Sequence, residues 1–424
     1  MKAGADTERL RGKEILIAGG GIGGLTAALI MAQHGARVRV FEQAATFSEA
    51  GAGIQLSPNC SRVLHALGLA EALDAHGFLP RGTQFRHWRR GGLITENTLG
   101  EDSAAKYGAP YYHIHRGDLL RILLQAAQAD ERIQLVTQAQ VRGFTVVGQR
   151  VTIELTDMPA TLSAAELCGD LLLGADGIHS KIRELLWGPS EPDFTGNIAW
   201  RALVPAAQLP TELIKPVTTV WWGPHKHFVH YYVRSGDLVN CVCVVEKSGW
   251  TVESWTQPGE LAELQADFRG WHDGVQQLIS QADPNSLFKW ALFDRQPMPR
   301  WGQNRVTLLG DACHPTLPFM AQGAAMAIED GAILAACLAA RSGDADADWQ
   351  VALERYEALR KPRTAGVQRG SRRNAKVFHL HGIQAWLRNR AARVAQGATV
   401  DKLYSYDPLS VVEEPDAEAT ITRR

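Results

Sequence analysis

The stretch KEILIAGGGIGGLTAALIMAQHGARVRVFE, Lys13 to Glu42, limits the possible folds of this chain more than any other segment. Lys13 to Ala18 is a short β-rich run that leads directly into Gly19-x-Gly21-x-x-Gly24. Leu25 to His34 then has helical composition with Gly35 as its stop, and Arg37 to Phe41 reads as a second strand. Glu42 closes that strand, 18 positions beyond the third glycine. In such a βαβ unit the glycines permit a tight turn and close backbone approach, the helix N-terminus attracts a pyrophosphate, and the acid accepts a ribose hydroxyl. A carboxylate at Glu42 also repels a 2′-phosphate. The unit predicts a Rossmann-like α/β fold that binds an ADP-containing dinucleotide, either NAD or FAD. Gly19, Gly21, Gly23, Gly24, Glu42 and the adjacent Gln43 are the expected cofactor contacts. Ile15 to Ala32 is uncharged and mostly apolar, but its central glycines would weaken a spanning helix and no cleavage site follows. No membrane span is expected.

The chain has 424 residues, 45% hydrophobic, with a formal charge of -1, enough for a large core divided among two or three domains. The near-neutral balance argues against a nucleic-acid binder, and the basic run Arg369 to Lys376 is expected to be a solvated helix face. Cys60, Cys168, Cys241, Cys243, Cys313 and Cys337 form no CxxC pair or disulfide framework, so a reducing, cytoplasmic location is the expectation.

Farther along, Leu162 to Leu173 runs into Gly174-Ala175-Asp176-Gly177, with Ser180, Lys181 and Arg183 opening another helix. Ile198 to Val245 is rich in Trp, Tyr and Val with alternating residues, as in an antiparallel sheet inserted as a second domain. On a strand, His227, Val229 and Tyr231 share one face, and Phe228, His230 and Tyr232 the other. Helical patterns return at Leu261 to Ala282, a strand at Val306 to Leu309 leads into Gly310-Asp311, and Trp349 to Phe378 reads as a long helix. Glu413 to Arg424 is a polar tail. Cys313 beside His314 invites a nucleophile-base or metal reading. In an extended chain, however, adjacent side chains point apart and no further ligand stands nearby in sequence, so no metal site is expected.

Three glycine-acid elements in this order, Gly19 to Gly24 with Glu42, Gly174 to Gly177, and Gly310-Asp311, resemble the class A, single-component FAD-dependent aromatic hydroxylases. The resemblance covers nearly the whole chain. It includes EAGAGIQLSPN (Glu49 to Asn59), HIHRGDLLRIL (His113 to Leu123), GADGIHSKIRELL (Gly174 to Leu186) and GDACHPTLPFMAQGAAMAIED (Gly310 to Asp330). It implies a fold of the p-hydroxybenzoate hydroxylase type. Residues 1–75, 105–187 and 288–345 would bind FAD, 76–104 and 188–287 would form the substrate sheet, and 346–424 the C-terminal helices and tail. It further implies FAD contacts from Gly53, Arg116, Asp176 and Asp311, and from a helix N-terminus at Gly323-Ala324 set against the flavin. Carboxylates suit ribityl hydroxyls, and a guanidinium suits phosphate or flavin oxygens.

The text WWGPHKHFVHYYV, Trp221 to Val233, resembles the salicylate, 3-hydroxybenzoate and 6-hydroxynicotinate hydroxylases, which implies that His227 and Tyr231 face an aromatic substrate. A histidine can take the phenolic proton that electrophilic hydroxylation needs removed, and a tyrosine can orient the ring. The implied reaction consumes O2 and NADH or NADPH and proceeds through a C4a-hydroperoxyflavin, with decarboxylation if the attacked carbon carries a carboxylate. Gln55 and Phe319 stand where 6-hydroxynicotinate hydroxylases carry histidines, which favours a benzenoid substrate held by Gln55, Pro318 and Phe319, with a pyridine acid such as 6-hydroxynicotinate as the alternative. No residue for a substrate carboxylate is identified. The sequence does not define the oligomeric state, although Tyr404 to Ser410 resembles the tail of relatives that dimerise, which admits a homodimer. Two other classes remain open on the residues alone. A NAD-dependent dehydrogenase would leave Asp176 and Asp311 unexplained, and a non-catalytic flavin-binding protein would make His227 and Tyr231 core packing.

Overall fold

Ile15, Leu16 and Ile17 on the strand Glu14–Ala18 are wholly buried, because a parallel strand covered by helices on both sides has no solvent face. The computed structural model describes residues 8–47, 52–99, 101–159, 162–247, 249, 257–341, 349–394 and 398–412. The expected tail Glu413 to Arg424, and Glu49 to Gly51 of the second motif, lie outside these residues.

Glu14–Ala18 pairs in parallel with Arg37–Phe41 on one side and Leu171–Gly174 on the other. Ile133–Val136 and Val306–Leu308 extend this to a five-stranded sheet. The glycine turn, the Gly174 loop and the Gly310 loop thus emerge from the same end of three neighbouring strands. The helix after the glycine turn runs Ile22–Gln33, three residues earlier than its composition suggested.

A seven-stranded sheet forms the second layer. Asp193–Pro205, Leu238–Glu246, Lys226–Val233 and Thr218–Gly223 run antiparallel, as expected. Thr218–Gly223 instead pairs in parallel with Gly82–His87, because that strand arrives from the earlier segment and not from a hairpin. One face of the sheet buries Trp200, Trp221, Phe228, Cys241 and Cys243 against the helices Leu261–Asp267 and Asp273–Ser280. The single helical stretch expected over Leu261 to Ala282 is therefore two, interrupted near Gly270, whose φ of +77 suits glycine and ends the first helix in a turn.

The helix Trp349–Phe378 spans the range expected from its pattern, and ends against the sheet's other face. Its basic run is not simply a solvated face. Ser371 and Ala375 are buried, and Arg372 forms an ion pair with Asp294. Among the described residues, no helix is long and apolar enough to cross a membrane.

Candidate functional site

Between the two sheets lies a cavity of about 700 Å³, lined by Gly19, Gly21 and Gly23 at one end and by His227, Val229 and Tyr231 at the other. Its first wall is the glycine turn. The Glu42 carboxylate accepts the Gly20 N–H at 2.9 Å and the Ala44 N–H at 2.9 Å, which fixes the acid at the strand end beside the turn. A Cβ on Gly19 would sit 2.4 Å from the Ala175 carbonyl oxygen, and one on Gly23 would meet Leu309 at 2.6 Å. Gly24 does not line the cavity. A Cβ there would lie 2.1 Å from the Gly19 carbonyl oxygen, so its absence lets the helix pack under the turn, a packing role and not the cofactor contact expected.

The other two loops complete this end. One oxygen of Asp176 accepts the Lys181 N–H at 2.7 Å and the Ile182 N–H at 3.1 Å, starting the helix Lys181–Trp187, while Oδ1 is buried without a hydrogen bond at the cavity wall. Burial raises its pKa. Asp311 faces the cavity, where its side chain is exposed; its recessed position raises its pKa, and His314 and then Arg116 across the gap oppose that rise. Arg116 opens the helix Arg116–Gln128. Gly53 and Gln43 also line the cavity, and a Cβ on Gly53 would strike Tyr231 at 2.8 Å. The 17-residue helix Gly323–Ala339 presents Gly323 and Ala324 to the cavity, with no acidic residue in its first turn and a left-handed Ala321 before it. Its exposed N–H groups and positive dipole end suit a bound anion.

The opposite wall is the inner face of the seven-stranded sheet. Cross-strand partners share a face, so Val229, Val242 and Arg201 form one row and His227, Val244 and Ala199 the next. Phe228 and His230 lie on the reverse face. The sequence did not single out Arg201. Its guanidinium lies 4.3 Å over the Trp290 ring, and burial, with Arg116 adding to it, lowers its pKa. Such a cation favours an incoming anion. Arg201 emerges only once strand register is known, because Trp200 and Arg201 alternate faces and sequence does not say which strand lies opposite.

Tyr231 packs 4.5 Å from the His113 ring, and burial raises its pKa. Gln55 lines the cavity and accepts the Tyr111 hydroxyl at 2.5 Å. Leu317 and Pro318 line it too, but Phe319 does not. The 3-10 turn Pro318–Met320 directs Phe319 into a buried cluster behind the wall, with its ring 5.2 Å from that of His227. The expectation that Phe319 touches the substrate is corrected to one in which it backs His227. Burial lowers the His227 pKa well below its usual value, leaving a neutral imidazole, and its Nδ1 lies 2.8 Å from His379 Nε2.

Cys313 and His314 are placed differently from expectation. Gly310–Ala312 is a 3-10 turn and Cys313 is not extended, so both side chains come within 4.8 Å of each other and of Asp330. A third donor is therefore near, but each is already engaged. Asp330 bonds His314 Nε2 at 2.6 Å, the Gly310 N–H at 2.9 Å and Arg360 at 2.6 Å, while Cys313 donates to the Gly310 carbonyl. Burial pushes the Cys313 thiol up, so it holds no thiolate. The cluster fastens the loop that carries Asp311.

A nucleotide-binding parallel sheet joined through one cavity to a sheet face with Arg, His and Tyr defines a flavin-dependent oxidoreductase architecture. The family model described as an FAD binding domain matches residues 13–371. A 3-amino-4-hydroxybenzoate 2-monooxygenase of Streptomyces platensis is 40% identical over 389 residues, covering 90% of this chain and 93% of that protein. A 6-hydroxynicotinate 3-monooxygenase of Pseudomonas fluorescens is 37% identical, covering 85% of this chain and 90% of its own length. The structure of Klebsiella pneumoniae HpxO complexed with FAD and uric acid superposes with a TM-score of 0.80 at 26% identity, covering 94% of this chain and 97% of that one. The chain belongs to this FAD-binding family and is a flavoprotein monooxygenase. The close-approach glycines, the unbonded Asp176 oxygen and the cavity-facing Asp311 fit FAD as its cofactor.

Proposed function

We propose that the protein hydroxylates a small benzenoid carboxylic acid bearing a ring hydroxyl or amino group. The observation that carries this reading is that Arg201, His227 and Tyr231 occupy one sheet face on the cavity that also receives the glycine turn and the Gly323 helix N-terminus. FAD, reduced by NADH or NADPH, supplies activated oxygen to the bound ring. The chain's own residues do the rest. Arg201 pairs with the substrate carboxylate, Tyr231 orients the ring substituent, and neutral His227 accepts the proton whose loss makes the ring a better nucleophile. Gln55, Leu317 and Pro318 enclose the ring, and the apolar Val229, Val242 and Val244 keep water out. The Gly323 helix N-terminus would hold the anionic reduced flavin, Glu42 a ribose, and Arg116 and Asp311 the segment between, while Gly19, Gly21, Gly23, Gly53, Gln43 and Asp176 would shape its bed.

Relatives named for 3-amino-4-hydroxybenzoate, 6-hydroxynicotinate and 3-hydroxybenzoate support a ring acid of this size. The test is a panel of hydroxybenzoates, aminohydroxybenzoates and 6-hydroxynicotinate, scored for stimulated NAD(P)H oxidation and for a product one oxygen heavier by mass spectrometry. Stimulation by a benzenoid acid with that product supports the proposal. Turnover of 6-hydroxynicotinate alone would transfer the reading to pyridine acids, and oxidation without product would leave only an effector. A homodimer belongs to the same proposal and is tested by light scattering, although Tyr404 packs on Tyr107 and Tyr111 of its own chain.

A further inference from the structure

We propose that His379 and Glu246 carry the proton taken up by His227 out of the substrate cavity to the protein surface. This rests on the proposed role of His227 as proton acceptor. His379 follows the last turn of the helix Trp349–Phe378 and does not line the cavity, and nothing local in the chain connects it with His227, 152 positions away.

The geometry is a continuous file of hydrogen bonds. His227 Nδ1 lies 2.8 Å from His379 Nε2, His379 Nδ1 lies 2.8 Å from Glu246 Oε1, and Glu246 Oε2 lies 2.8 Å from His225 Nδ1. The file changes character along its length. The His227 and His379 side chains are buried, whereas Glu246 is 41% and His225 57% exposed. One end opens on the cavity and the other on solvent.

The direction of every proton follows from the carboxylate. Glu246 is held ionised because hydrogen bonds from His225 and His379 outweigh the opposing effect of burial. An ionised carboxylate only accepts, so His379 carries its proton on Nδ1. Burial lowers the His379 pKa despite the Glu246 bond, so the ring is neutral and its Nε2 is an acceptor. His227 must then carry its proton on Nδ1, which leaves Nε2 as the basic nitrogen available to a ring hydroxyl. When that hydroxyl gives its proton to Nε2, His227 Nδ1 passes one to His379 Nε2, and His379 Nδ1 passes one to Glu246. One proton enters, one leaves, and both imidazoles return to neutral in the other tautomer.

The need for such a path is chemical. A histidine as deeply buried as His227 is a weak base and is poorly placed to store an imidazolium charge, since among the described residues the rings against it are His379, Phe319 and Phe378. Passing the proton on avoids holding that charge in the cavity wall. His379 is faced by Glu246, by His225 and by Arg388, which donates to the Val377 and Phe378 carbonyls and discourages an imidazolium at His379 as well. The charge therefore settles at the wet end.

The test mixes oxidised holoenzyme with 3-amino-4-hydroxybenzoate, or 3-hydroxybenzoate if that is turned over faster, in a stopped-flow instrument. Phenolate absorbance reports ionisation of the bound ring, and an indicator dye in weak buffer reports proton release. General acid–base help is commonly worth 10²–10⁴-fold, so H379Q and E246Q should each slow both signals by at least about tenfold. Substrate Kd should stay within about twofold and FAD absorbance unchanged. H379G should recover rate with added imidazole. Wild-type rates in H379Q and E246Q, or a loss of rate matched by loss of affinity without imidazole rescue, would overturn the relay. E246Q alters a half-exposed side chain and keeps the test decisive should the His379 variants fold poorly. If the wild-type enzyme ionises no probe, the proposed function itself fails and the relay falls with it, an outcome told apart by the wild-type trace alone.

Discussion

Replacing Asp330 by asparagine should loosen the loop that presents Asp311 to the cofactor. Asp330 is wholly buried on the helix Gly323–Ala339 and accepts three hydrogen bonds through its two oxygens: Oδ2 takes the Gly310 N–H and His314 Nε2, and Oδ1 takes Arg360 Nε. Those neighbours pull its pKa from 3.8 to about 2 against the opposing effect of burial, a difference worth about 2 kcal/mol in favour of the ionised form. Asparagine must aim an NH2 group at one of these donors and strips a counter-charge from Arg360. Breaking a buried pair typically costs about 3–5 kcal/mol, but Arg360 keeps Glu329 at 2.5 Å, so about 2–4 kcal/mol is expected. At roughly 2.1 cal/mol/K per residue the unfolding entropy is about 0.9 kcal/mol/K, and Tm should fall by about 2–5 °C. Calorimetry of the apo and FAD-loaded forms measures this, and FAD titration should show weaker binding because Gly310 and His314 lose their anchor. A variant whose Tm and FAD affinity both match the wild type would refute the view that this cluster holds the loop.

Arg201→Met should raise KM for the carboxylate substrate by about 30-fold or more, the equivalent of 2 kcal/mol for a desolvated ion pair, with less effect on the corresponding amide; equal loss on both would remove the pairing role. Gly24→Ala places a Cβ 2.1 Å from the Gly19 carbonyl oxygen and should cost about 1–3 kcal/mol with weakened FAD binding, read by denaturation and flavin fluorescence. Iodoacetamide at pH 8 should leave Cys313 unlabelled by peptide mapping while the folded enzyme keeps its activity, since burial holds the thiol protonated. His113 and His230 are each lowered by burial to about 3. The unfolded chain binds protons below pH 6.5 and these folded sites do not, so stability is present above 6.5 and is lost as pH falls; at pH 5 each should cost about 2 kcal/mol. Equal denaturation midpoints at pH 7 and pH 5 would contradict it.

What could be read from the sequence was what is local along the chain. The glycine turn, Glu42, Asp176, Asp311 and the helix start at Gly323 each carry their chemistry within a few residues, and parallel strands place their loops at one sheet end. The period of two likewise put His227, Val229 and Tyr231 on one face. Arg201 and His379 were illegible for the opposite reason: one depends on which strand pairs with which, the other on where a 30-residue helix ends against a sheet. Phe319 was misplaced because the 3-10 turn at Pro318 rotates it out of the wall, and Asp330 was missed as a neighbour of Cys313 because that segment is coiled and not extended.

The rows on the substrate face have a consequence for changing what the enzyme accepts. Positions 199, 201, 227, 229, 231, 242 and 244 form a raster with a pitch of about 4.8 Å across strands and about 6.7 Å along them, close to the dimensions of one substituted ring. Moving the cation or the acceptor by one node would slide the ring past the flavin by one carbon position or more. Because none of these nodes belongs to the nucleotide-binding sheet, regiochemistry can be redrawn on this grid while the bed of the cofactor stays as it is.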